Sequence, residues 1–111
     1  MEIENIGIIG AGQMGLGIAH VFSLSGYKVF LNDINQDALD SSKSKINKSM
    51  DRQIRKNLIS IDEKEKGLNN IKTHKSIKSL TDCQIIIEAI TEDETLKMKV
   101  FFCSVILFYF F

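Results

Sequence analysis

Apolar residues along this chain follow two rhythms, and the changes between them mark out the elements. The run "IGIIG", Ile6 to Gly10, is short, β-branched and closed by glycine, which reads as a buried parallel strand. From Gln13 to Ser25 the apolar positions take up helical spacing, and Gly26 supplies the stop signal. "YKVFLND", Tyr27 to Asp33, alternates and ends in a polar pair, as a second strand does. A long amphipathic helix then spans Gln36 to about Leu58, with Ile46, Met50, Ile54 and Leu58 forming one apolar stripe. Asp37 and Asp40 lie in its first turns and Arg52, Arg55 and Lys56 crowd its end, an order that complements the helix dipole. "SIDEKEKGL" predicts a short helix capped by Ser60 or Asp62 and ending near Gly67. After it, "IKTHKSI" predicts a weak or edge strand and "CQIIIEAI", Cys83 to Ile90, a strong buried one. "EDETLKMKVF" predicts a further helix.

Strands separated by helices in the order β-α-β-α-(α)-β-β-α predict the α/β class: a Rossmann-type parallel sheet with flanking helices and right-handed crossovers. The pattern fails at the end. "VFFCSVILFYFF", 100–111, has no charge and holds five of the seven phenylalanines. As a helix its twelve residues reach only ~18 Å against a hydrocarbon core of ~30 Å, so a membrane anchor is disfavoured. A buried strand is the second reading. The reading adopted is loss of the natural frame near Phe101, because a core strand seldom ends a chain in nearly continuous aromatics. Residues 1–101 are thus expected to form the domain, incomplete at its C-terminus, and 102–111 an apolar tail foreign to it. Exposed sheet edges and that uncharged β-prone tail make aggregation an expected hazard.

The chemistry begins in "GAGQMGLGIAH", where Gly10, Gly12 and Gly15 fit G-x-G-x-x-G. Alone the pattern is weak, but here it follows a strand and opens a helix, as a phosphate grip requires. Gly10 permits the tight turn, Gly12 lets the backbone approach a pyrophosphate, and Gly15 lets the helix press on the sheet, with small Ala19 on the same face. Free N–H groups of the first turn, with the positive dipole end behind them, then point at the anion. The expected cofactor-binding stretch is Gly10, Ala11, Gly12, Gln13, Met14 and Gly15.

Asp33 strengthens this reading. It ends the second strand 23 residues after Gly10, where a carboxylate accepts a ribose 2′-hydroxyl. Its charge would repel a 2′-phosphate and no Arg or Lys follows in "DINQDA", which favours NAD over NADP. A helix cap or turn is the plainer role for Asp33. FAD-dependent oxidoreductases and some methyltransferases carry similar loops, although the FAD class usually has Glu at the second-strand position.

From about Ile3 to Phe101 the chain resembles the 3-hydroxyacyl-CoA dehydrogenase family. The resemblance is carried by "IGIIGAGQMGLGIAHVFSLSGYKVFLNDI", the long basic helix, and "IIIEAITEDETLKMKVF" with its E-A-[IV]-x-E motif followed by Lys and V-F. It implies that Glu92 and Lys97 line the NAD site, at the carboxyl end of a parallel strand where ligands sit. It also implies that Ser49 and Lys56, seven residues apart on the long helix, touch the CoA moiety of an acyl-CoA substrate. Each has a plainer alternative: a helix-start carboxylate for Glu92, a solvated helix residue for Lys97, and a solvated basic face for the CoA pair. Glu88, His20 and His74 are read as structural.

In the family, a 3-hydroxyacyl-CoA gives a 3-oxoacyl-CoA with NAD, in fatty-acid or butanoate metabolism. A His acts as general base and a Glu orients it. They belong to an S-N-T-S segment and an H-F-F-N-P segment, and neither string occurs in these 111 residues. The family's helical domain, which closes the cleft and forms the homodimer, is not represented either. The expectation is an NAD-binding portion, an oxidoreductase by resemblance, with no catalytic residue of its own and no activity alone. Two other readings stay open: a non-catalytic NAD-binding module whose apolar tail docks a partner, and a domain of the 6-phosphogluconate or hydroxyisobutyrate dehydrogenase type.

Composition narrows the setting. Fourteen basic residues balance fourteen acidic ones, so neither nucleic acid nor a strongly acidic partner is expected. Cys83 and Cys103 form no C-x-x-C and read as ordinary thiols of a reduced, cytoplasmic protein. Met1 is followed by Glu2 and Glu4, unlike a signal peptide, and no metal site or membrane association is expected.

Overall fold

The computed structural model describes residues 2–92, 95–102 and 106–110, with side chains as far as residue 89. The element order is β1 (Asn5–Ile9), α1 (Gln13–Leu24), β2 (Lys28–Asn32), α2 (Gln36–Arg55), α3 (Ile61–Asn69), β3 (Ile71–His74), a 3-10 turn at Ile77–Leu80, β4 (Ile85–Glu92), β5 (Thr95–Phe102) and β6 (Ile106–Phe110). They form one sheet in the order β3-β2-β1-β4-β5-β6. The first four of these are parallel, and β5 and β6 add antiparallel. The chain therefore lays β2 and β3 on one side of β1 and then crosses to lay β4 on the other. In such sheets ligands bind beyond the carboxyl ends of the strands at that switch, here between β1 and β4.

Period-two alternation in β1 and β2 decides the core. Ile6, Ile8, Val29 and Leu31 point to one face and meet Leu16 and Ala19 of α1 and Leu39, Ile46 and Met50 of α2, all buried. Gly7 points to the other face, where Leu80 and Cys83 approach it. Removing these aliphatic side chains from water is the main force holding helices to sheet, roughly 1.5–3 kcal/mol for each large one.

Local chemistry ends and starts the helices. After α1, Gly26 takes φ +96°. The Gly26 N–H then donates to Ser23 O at 3.3 Å and the Tyr27 N–H to Phe22 O at 3.2 Å, while the Phe22 and Tyr27 rings meet edge-on at 5.7 Å. That is the Schellman arrangement with its apolar contact. α2 ends likewise: Asn57 holds φ +58°, its N–H donates to Ile54 O at 2.9 Å, and the Leu58 N–H donates to Gln53 O at 2.9 Å. The expected stripe is corrected by this stop. Ile46 and Met50 are buried, but Leu58 lies past the helix and is 66% exposed. Ser60 caps α3 in a full capping box with Glu63. Lys64 pairs with Asp51 at 2.6 Å and ties α3 to α2.

One expected element has the wrong type. The helix expected over "EDETLKMKVF" is instead strand β5, hydrogen-bonded along β4 from Ile85↔Phe102 to Glu92↔Thr95. The β-branched and aromatic residues at its end suit a strand, and pairing with β4 satisfies backbone groups that a parallel neighbour would otherwise take. Among the described residues no helix is long and apolar enough to cross a membrane.

Candidate dinucleotide site

The turn between β1 and α1 is shaped by three close approaches. Gly10 holds φ +110°, and a Cβ there would stand 2.2 Å from the Ala89 carbonyl oxygen on β4. At Gly15 a Cβ would fall 1.8 Å from the Gly10 carbonyl oxygen, so only a bare Cα lets α1 start this close to β1. The Gly10 N–H donates to Asn32 O at 2.8 Å, fixing the turn to the end of β2. Gly12, by contrast, has nothing within 4 Å of where its Cβ would be.

Gly12 is the N-cap of α1, with no side chain capping the helix. The first intrahelical bond runs from the Leu16 N–H to Gly12 O. The N–H groups of Gln13, Met14 and Gly15 accordingly have no helical acceptor before them. Uncapped donors at the positive end of a helix, next to open space, make an anion cradle. It opens into a cleft of about 460 Å³ lined by Ile9, Gly10, Gly12, Asn32, Asp33, Ile34 and Ala89.

Asp33 is half-buried in that cleft and works on both of its neighbours. Its Oδ2 accepts the Ala11 N–H at 2.8 Å and its Oδ1 accepts the Asn35 N–H at 2.8 Å. Asn35, not Asp33, caps α2, its side chain accepting the Ala38 N–H at 3.2 Å. An ionised carboxylate has about four acceptor positions, so two backbone bonds leave capacity for a ligand hydroxyl. The Ala11 N–H is committed to Asp33, which leaves the first turn of α1 as the anion donors. A dinucleotide thus fits the residues present: the bare Cα of Gly12, which begins the uncapped helix, and the Asp33 carboxylate line one opening.

Other expected residues fall elsewhere. Backbone pairing puts Glu92 at the end of β4 and Lys97 on β5 opposite Ile90; their side chains lie outside the described residues. Ser49 lines a second groove of about 510 Å³ between α1 and α2, which Gln13, Gly17, His20, Lys45 and Arg52 share. The Arg52 guanidinium donates to Ser49 Oγ at 3.0 Å. Lys56 is the C-cap residue of α2 and is not among the residues lining that groove. His20 Nε2 is bonded to Gln53 Oε1 at 2.6 Å, and His74 stacks on Phe30 at 5.6 Å. Neither histidine lines the cleft.

Sequence reasoning passed over Ile9, Asn32, Ile34 and Ala89 in the cleft wall. Asn32 is buried, and its Nδ2 donates to the His74 and Lys75 carbonyls at 2.9 and 3.1 Å, holding edge strand β3 to β2. A polar residue ending an otherwise apolar strand was its only signal. For Ala89 the signal was a small residue inside a run of isoleucines.

Comparison with known proteins agrees with this geometry. Residues 5–103 match the family described as 3-hydroxyacyl-CoA dehydrogenase, NAD binding domain. A 3-hydroxybutyryl-CoA dehydrogenase of Bradyrhizobium diazoefficiens is 42% identical over 106 residues, which are 94% of this chain and 36% of the relative. A peroxisomal fatty acid beta-oxidation multifunctional protein of Arabidopsis thaliana is 32% identical over 90% of this chain and 14% of its own length. Among solved structures, (S)-3-hydroxybutyryl-CoA dehydrogenase from Ralstonia eutropha superposes with a TM-score of 0.78 at 36% identity, covering 83% of this chain and 32% of that one. The chain spans about a third of the length of the two 3-hydroxybutyryl-CoA dehydrogenases. With NAD as its cofactor, this chain belongs to the 3-hydroxyacyl-CoA dehydrogenase family as that family's NAD-binding domain.

Proposed function

We propose that the chain grips NAD through the first turn of α1 and Asp33, and serves the oxidation of a 3-hydroxyacyl-CoA to a 3-oxoacyl-CoA. The carrying observation is the opening where the empty Cβ position of Gly12 and the Asp33 carboxylate share one cleft. The N–H groups of Gln13 and Met14 take the pyrophosphate, Gly12 gives it room, and Gly10 and Gly15 hold the turn. Asp33 accepts the ribose hydroxyls, and its charge turns away a 2′-phosphate. When bound, NAD supplies the acceptor for the hydride leaving C3 of the substrate. Glu92 and Lys97, the residues to which the family resemblance points, are assigned to the nicotinamide side of the site.

Ser49 and Lys56 are assigned to the CoA moiety. Ser49 is supported by its place in the α1–α2 groove beside Lys45 and Arg52. No group here is assigned to proton transfer, since both histidines are engaged away from the cleft. The 111-residue polypeptide by itself is expected to be inactive, and turnover of 3-hydroxybutyryl-CoA near that of full-length relatives would contradict this. The family match over residues 5–103 supports taking the family-derived, partial domain to end near Phe101. Reading the coding DNA beyond that codon in all frames for S-N-T-S and H-F-F-N-P tests the assignment of 102–111 as a foreign tail. The cytoplasm is proposed as the site of action, with no nucleic-acid or membrane partner; imaging of a fluorescent fusion checks it.

Calorimetric titration with NAD and NADP tests the cofactor assignment. Saturable binding of NAD with NADP much weaker is the expected result. Equal affinities would remove Asp33 from the role given to it.

A further inference from the structure

Seven glycines punctuate the chain, and for five of them the fold itself supplies the reason. Gly10 and Gly26 sit at positive φ. A Cβ on Gly15 would strike the Gly10 carbonyl, one on Gly67 would come 3.0 Å from Leu24, and one on Gly7 would come 3.2 Å from both Cys83 and Leu80. Gly12 and Gly17 are different: around each, the space a Cβ would enter is empty for 4 Å. Gly12 faces the dinucleotide cleft. Gly17 belongs to no part of G-x-G-x-x-G and lies inside α1, where glycine is the least favourable residue after proline. Neither backbone conformation nor packing repays that cost.

Gly17 opens instead onto the second groove, whose lining also includes Leu16, Ile46, Lys45 and Arg52. Two aliphatic side chains, Leu16 and Ile46, beside the polar Gln13, His20 and Ser49 and the cations Lys45 and Arg52 match the chemistry of CoA, an amide-and-methylene arm joined to a polyanionic nucleotide. We propose that Gly17 is a substrate-contact position, whose bare Cα lets the CoA chain of the acyl-CoA lie directly against α1. It does for the CoA groove what Gly12 does for the cofactor cleft. The inference rests on the acyl-CoA reading above, and adds to it a position that sets how closely the ligand approaches.

The test compares wild type with Gly17→Ala by calorimetric titration with free CoA and, separately, with NAD, alongside thermal unfolding. One methyl group in a fitted groove should weaken CoA binding about tenfold or more. NAD affinity should be unchanged, and the unfolding midpoint should rise because alanine favours the helix. Gly17→Met, also a good helix former but larger, should weaken CoA further. CoA binding by Gly17→Ala equal to wild type overturns the inference. So does a wild type that binds NAD but not CoA, a result that leaves the cofactor reading standing. A wild type that binds neither ligand overturns both.

Discussion

The carboxylate of Asp33 accepts the backbone N–H of Ala11 at 2.8 Å, so the residue that follows β2 holds the turn that follows β1. Its other oxygen accepts the Asn35 N–H, which fixes the entry into α2. One side chain thus sets the glycine turn and the start of α2 before any ligand arrives. A turn role and the proposed ribose-binding role are not rivals at this residue: the two backbone bonds fix the carboxylate's orientation and leave acceptor capacity for a ligand hydroxyl.

Asp33→Asn tests that double role. An amide presents one acceptor oxygen in place of two, which leaves either the Ala11 or the Asn35 N–H without its partner. Stability should fall by about 1–3 kcal/mol in urea unfolding. NAD affinity should fall about tenfold or more, corresponding to ~1.4 kcal/mol, and the preference over NADP should shrink. Unchanged selectivity in a folded variant would count against the ribose role.

Gly12→Ala and Gly15→Ala should fail in different ways. The Gly15 variant drives a methyl into the Gly10 carbonyl, so overpacking should cost about 1–3 kcal/mol or more, with binding lost as the turn shifts. The Gly12 variant meets no protein atom and should keep wild-type stability while losing NAD. Denaturant curves and titrations on both variants separate the two cases. A Gly12→Ala protein that binds NAD normally would show that the pyrophosphate lies elsewhere.

Asn32→Ala should loosen edge strand β3. The His74 and Lys75 carbonyls lose their shared donor, at a cost of about 1–3 kcal/mol. Hydrogen exchange should accelerate at the amides of β3 first. Uniform acceleration across the sheet would contradict a local role.

Ser60→Ala removes the α3 cap at a residue that does not line the cleft. Loss of about 1 kcal/mol with unaltered NAD affinity is expected from unfolding and titration together. A large change in binding would mean that α3 is coupled to the site.

Much of this was legible from residue order because the signals are local. Gly26, Ser60 and the β-branched runs fix helix ends and strands through their own backbone preferences, and G-x-G-x-x-G carries its own steric reasons. Asn57 was missed as the stop of α2, since asparagine in the left-handed region is a rarer signal than glycine. The β5 strand was missed because "TLKMKVF" contains good helix formers, and what decides it is pairing with β4, a contact invisible in local spacing. The bond from Asp33 to Ala11 spans 22 residues and depends on β1 and β2 being neighbours, so it could not be read from the sequence. The groove at Gly17 likewise exists only once α1 and α2 are packed.

The central claim is that NAD sits on the first turn of α1 with its ribose at Asp33. Amide chemical-shift mapping of the isotope-labelled chain during NAD titration tests it most directly. The account predicts that the largest shifts fall on Gly12, Gln13, Met14 and Gly15 and on the segment from Asp33 to Asn35. Shifts centred on the α1–α2 groove, or none at saturating NAD, would contradict it.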